Sequence, residues 1–169
     1  MAKSTFILAV RRTLLKLVTF LDKSLASDSS EAFQTFRYRK PGQEEKGSKE
    51  FVLLGRTDDI RGAVHVLRDG GGESLHSHSN IDGFWFVLSG QARFHGKNGV
   101  VGEFSPGEGI VTPRNTSYWF ECTSEEDLEL LQVLSFDRMQ GWDRQNHAPP
   151  RHDPSTVQKY DGRHDNRPY

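Results

Sequence analysis

Two histidines separated by a single residue, His76 and His78, carry the clearest chemical potential in this 169-residue chain. If the segment is extended, side-chain alternation puts both rings on one face of a strand. Two imidazoles side by side on an inward face can grip one divalent metal ion, whether iron, zinc or manganese. They can equally line a polar pocket that takes no metal. His65 sits in the apolar run Gly62–Leu67. There it either points into the same space or serves as a buried core histidine. His95 lies beside a turn and is expected to be exposed. His147, His152 and His164 fall in a polar tail without metal-site spacing.

The elements that must position these rings read as short strands. Apolar runs recur at Phe51–Leu54, Gly62–Leu67, Phe84–Leu88, Ala92–His95, Gly109–Thr112, Ser117–Glu121 and Leu128–Phe136. The separators at 69–72, 89–90, 96–99 and 105–109 are rich in glycine and proline. Short strands at close spacing with such turns predict an all-β antiparallel barrel or sandwich.

Within this pattern the stretch from Gly71 to Gly90 resembles the first motif of the cupin superfamily, with His76-Ser77-His78 as its His-x-His and Phe86-Val87-Leu88-Ser89-Gly90 as its ending. Gly107 and Pro113 match the second motif, with Asn115 where that motif has glycine. Asparagine tolerates the left-handed backbone such a position requires. The resemblance covers Phe51 to Phe136 and implies a cupin double-stranded β-helix, a jelly-roll barrel.

The departures from the motifs matter as much as the matches. The usual metal-binding glutamate position is Gly83, with Asp82 beside it; the third histidine position is Tyr118; the usual asparagine is Cys122. Two of the four usual ligands survive. The resemblance thus implies a metal shell of His76 and His78 completed by Asp82, Tyr118 or water. Asp82 reaches inward only if the strand begins after it or bulges. Tyr118 is a poor ligand near neutral pH. Gly83 removes a side chain and is expected to leave space. Trp85 would share its inward face, and Phe120 would share that of Tyr118. With His65 and Arg114, they give an aromatic-walled pocket suited to a small organic molecule.

Outside the barrel region, residues 4–26 predict an amphipathic helix. Ile7, Val10, Leu14, Leu17 and Leu21 form its stripe, and residues 1–26 carry five positive charges against one negative. Its apolar start, Phe6–Val10, is too short for a secretory signal. Such a helix packs on its own domain, docks to a partner or lies on a membrane surface. The resulting division is 1–30 helix and linker, 31–137 barrel, and 138–169 polar extension. Trp142 is the single strong anchor of that extension, which has too few apolar residues to order itself alone.

Composition narrows the classes. Net charge is −1, with 22 basic and 23 acidic residues, which excludes a globally basic nucleic-acid binder. One cysteine, Cys122, excludes an internal disulfide and fits a cytoplasmic setting. Three functions are compatible. One is a small-molecule-binding cupin acting as a metal-assisted oxygenase, isomerase or lyase through His76 and His78. Another is a metal-free sugar epimerase or ketoisomerase, with His78 as base and Tyr118 as acid. The last is an accessory subunit of a membrane-associated complex, docked through its helix and tail. A homodimer or hetero-complex is expected, because sheet edges need covering.

Overall fold

Alternation along the strands sorts side chains into two sets, and the fold keeps them on opposite faces. The computed structural model describes residues 33–42, 49–68, 70–137, 143–151, 157–164 and 167–168. The expected helix over 4–26, Trp142 and His152 lie outside these residues. Gln34–Tyr169 form one compact unit.

The described residues form twelve strands: β1 Lys49–Arg56, β2 Ile60–Leu67, β3 His76–Ser77, β4 Ile81–Ser89, β5 Ala92–Gly96, β6 Gly99–Phe104, β7 Gly109–Thr112, β8 Tyr118–Cys122, β9 Leu128–Phe136, β10 Gln145–Asn146, β11 Gln158–Asp161 and β12 Arg167–Pro168. They form a seven-stranded sheet, β12-β11-β1-β2-β9-β4-β7, and a five-stranded sheet, β10-β3-β8-β5-β6. The inner eight strands, β2-β9-β4-β7 and β3-β8-β5-β6, follow the two-sheet jelly-roll order. Every run expected to be a strand is one. Phe33–Tyr38 forms no strand.

Burial in β4 alternates, with Ile81, Gly83, Trp85 and Val87 buried; β8 does the same with Tyr118, Phe120 and Cys122. Of these, Trp85, Val87, Tyr118, Phe120 and Cys122 meet Leu67, Phe94, Leu128 and Leu130 between the sheets. Aromatic rings dominate that core, with Trp85 and Phe120 centroids 4.9 Å apart and Phe94 and Phe120 5.1 Å apart. A second cluster of Val52, Leu54, Val64 and Val66 packs with Tyr38 and Tyr160. Asn115 takes the left-handed backbone, φ 65°, as its place in the second motif predicts.

The polar extension is not separate from the barrel. β11 pairs in parallel with β1, from Glu50–Gln158 to Leu53–Asp161, and β10 pairs with β3 through Gln145–Ser77 and Asn146–His76. Backbone hydrogen bonds along two sheet edges supply what the extension lacks in apolar surface. His95 also departs from expectation. Its ring stacks on Trp119 at 3.7 Å and bonds Glu121 at 3.0 Å, so it is largely covered.

Candidate functional site

His76 ends up buried on β3, opposite Tyr118 of β8. His78 follows just past the strand end and is also buried, its ring centroid 5.2 Å from that of His76. His76 Nδ1 lies 2.7 Å from the Ser74 carbonyl, and His78 Nδ1 contacts the Asp143 carbonyl. A carbonyl only accepts, so each Nδ1 carries the proton and donates it. In the neutral ring the unprotonated nitrogen is then Nε2. Burial, with Arg144 and Lys49 adding repulsion, pushes His76 down to about 3. Burial also lowers His78, and it lowers His65 well below the usual histidine value. All three imidazoles are therefore neutral at pH 7.

The motif's metal positions do not gather around these rings. Asp82 faces outward and pairs with Arg114, with Nη2 2.5 Å from Oδ2 and the Arg114 backbone N–H donating to Oδ1 at 2.8 Å. The two expected site residues thus satisfy each other away from the pocket, because one step along β4 reverses the side-chain direction. Gly83 leaves no room. A Cβ there would stand 2.5 Å from Thr112 Oγ1 and 3.0 Å from Trp85 Nε1. Trp85 Nε1–H donates to Thr112 Oγ1 at 3.1 Å, so an indole and a hydroxyl occupy the place of the motif's carboxylate. Tyr118 also hydrogen-bonds Thr112, and burial pushes its phenol up to about 12. Cys122 Sγ faces the Ser124 and Glu126 carbonyls instead.

Among the described residues, no group of three or more His, Cys, Asp or Glu side chains is placed to hold a metal ion. His76 and His78 alone fall short of the three protein ligands of a catalytic zinc or of the two-histidine, one-carboxylate iron site. The donor set therefore does not fit the cupin metal.

Beside the histidines lies a cavity of about 380 Å³, lined by Lys49, Phe51, Arg61, His65, Glu73, His76, Trp85, Gln132, Arg144, Val157 and Lys159. Of the expected residues it takes His76, His65 and Trp85. Tyr118 and Phe120 sit in the core, and Arg114 is outside. Among the described lining residues, four basic side chains face one carboxylate across this space. Lys49 and Phe51 alternate onto one face of β1, where Phe51 meets the His65 ring edge at 5.2 Å. Arg61 Nη2–H donates to Gln132 Oε1 at 3.0 Å, and its guanidinium stands 5.3 Å from the Phe51 ring centroid. Glu73 touches Lys49 through one oxygen and meets Arg144 Nη2 at 3.1 Å through the other. Burial and the Arg144 charge pull Lys49 down to about 7, while its contact with Glu73 works in the opposite direction. Burial likewise lowers Arg144.

Lys49, Glu73, Gln132, Arg144 and Lys159 were not foreseen as site residues. Lys49 was legible in principle, because alternation back from Phe51 places it inward. Arg144 and Lys159 belong to the extension, where composition alone gives no sign of strand pairing.

The Cupin domain family matches residues 63–134. No curated protein matches the sequence significantly. Among solved structures, KdgF from Halomonas sp. is similar at 17% identity and a TM-score of 0.54, covering 63% of this chain and 96% of that one. A double-stranded β-helix protein from Klebsiella pneumoniae is similar at 20% identity and a TM-score of 0.53, covering 72% and 94%. The Cnp3 cupin domain of Schizosaccharomyces pombe follows at 12% and 0.51, covering 56% and 69%. At these identities the likeness is one of fold.

Proposed function

We propose that this chain, whose residues 63–134 match the Cupin domain family, binds a small organic anion, a carboxylate above all, in the cavity beside His76. One observation carries this reading. Among the described residues, Lys49, Arg61, Arg144 and Lys159 line the cavity against one carboxylate, that of Glu73, while its histidines stay neutral. Arginine presents a planar fork of donors matched to a carboxylate, and a partly enclosed site strengthens each charge-assisted bond. Phe51 and Trp85 supply apolar wall for the body of the ligand, and Gln132 and His76 supply hydrogen bonds. The volume suits a molecule of sugar-acid or short oxo-acid size.

With its value pushed down to about 3, His76 is a weak base and serves the cavity as a hydrogen-bond acceptor. It lines the cavity and its Nε2 is the unprotonated nitrogen. Tyr118 is poorly suited to serve as the acid, with its hydroxyl engaged by Thr112 in the core.

A thermal-shift screen of the full chain tests the proposal. Small carboxylates and uronates should raise the melting temperature, neutral sugars of the same size should not, and the effect should weaken as salt rises. A screen in which neutral sugars stabilise as well as the acids contradicts it.

A further inference from the structure

Among the described residues, Lys49 is the one amine held in the cavity wall by burial. Its side chain comes inward from the first residue of β1, with a residue exposure of 8%. Lys159, the other lysine at the cavity, is exposed. Glu73 touches Lys49 and is shared with Arg144, so its charge is divided between two cations. The carboxylate-binding cations, the amine and a proton-handling carboxylate therefore share one small space.

We infer that Lys49 captures its ligand covalently, its amine condensing with the carbonyl carbon of a bound 2-oxo or aldehyde carboxylate to form an imine. This rests on the anion-binding reading and narrows the ligand to carboxylates that also carry a ketone or aldehyde. Glu73 takes one proton from the Lys49 ammonium. The nitrogen lone pair forms the C–N bond as the carbonyl π pair moves to oxygen. A proton then shifts from nitrogen to that oxygen. The C–O bond breaks as Glu73 returns its proton to the leaving hydroxyl, releasing water and leaving an iminium. No oxidant or reductant is consumed.

The environment favours this step at the one lysine. Burial and Arg144 bring Lys49 down to about 7. The lowered value raises the share of neutral amine at pH 7 above that of an ordinary lysine. Desolvation beside another cation is a recognised way to activate an amine. Arg61 and Arg144 would hold the carboxylate while the carbonyl meets Lys49, which is the positioning such a condensation needs.

The test is reductive trapping. The full chain is incubated with pyruvate and with glyoxylate in the presence of cyanoborohydride, digested and mapped by mass spectrometry, while lactate binding is titrated in parallel. The expected result is a reduced adduct at Lys49 in excess over Lys159 by about tenfold or more, because Lys49 is held in the cavity wall and Lys159 is exposed. Lys49→Arg should abolish the adduct, while lactate binding is read on the unsubstituted chain. Lactate binding with no adduct at Lys49, or with adduct spread evenly over the lysines, overturns the covalent step and leaves anion binding standing. Absence of both binding and adduct overturns both.

Discussion

Arg144 Nη2 lies 3.1 Å from Glu73 Oε2, so a residue from beyond the barrel's last core strand completes the wall of a cavity inside it. Glu73 holds Lys49 with its other oxygen. The extension thus contributes charge to the site as well as edge strands to the sheets.

Replacing Arg144 with methionine should weaken binding of small carboxylates by tenfold to a hundredfold, corresponding to the loss of a charged hydrogen bond, about 1.5–3 kcal/mol. Isothermal calorimetry measures this directly. Unchanged affinity would remove Arg144 from the site.

Gly83→Glu should not rebuild a cupin metal centre. Its Cβ alone would press on Thr112 Oγ1 at 2.5 Å. Overpacking of this kind costs about 1–3 kcal/mol, visible as a lower urea midpoint. Elemental analysis should find no stoichiometric iron, zinc or manganese in the variant. A variant that gains metal without losing stability would contradict the packing described.

Stability should fall as pH drops from 7 toward 4. The histidine value of His65 is lowered by burial and that of His76 is pushed to about 3, whereas in the unfolded chain both titrate near 6.5. Below 6.5 the unfolded state takes up protons that the folded state refuses, so folding loses up to about 1.4 kcal/mol per pH unit for each histidine. Neither ring nitrogen of His65 makes a hydrogen bond of normal geometry, although the Gln132 side chain favours its charged form. His65→Leu should therefore flatten the acid limb of a denaturation–pH series. An unchanged slope would show that His65 does not contribute.

Asp82→Ala should leave ligand binding unchanged, because Asp82 faces Arg114 outside the cavity. Arg114 holds the Asp82 carboxyl below the usual range, so any stability from the pair is present above that range and lost as pH falls through the lowered value. The pair is largely exposed and its effect should be small. A large loss of affinity in this variant would place Asp82 in the site after all.

The barrel was legible because its information is local. Each core strand announces itself by alternation and by the turn residues beside it, and Asn115 marks its turn through backbone preference. The inward turn of Trp85 and the outward turn of Phe84 follow from period two alone. The site was legible only in part. His76 and His78 stand out by spacing, but the filling of the Gly83 position by Thr112 and Trp85 is a contact between β4 and β7, and no single strand encodes it. Arg144 and Lys159 come from short edge strands whose pairing depends on open backbone groups of β3 and β1. Nothing in a polar sequence advertises that. The orienting groups on the histidines are main-chain carbonyls of Ser74 and Asp143, which side-chain identity does not reveal.

The most direct measurement is a calorimetric titration of a small carboxylate into the full chain, repeated with Arg61→Met and with Arg144→Met. One-to-one binding in the native protein, weakened in both variants and by added salt, is the result expected of a cationic cavity beside His76. Binding that survives both substitutions at full strength, or no binding of any small acid, would contradict it.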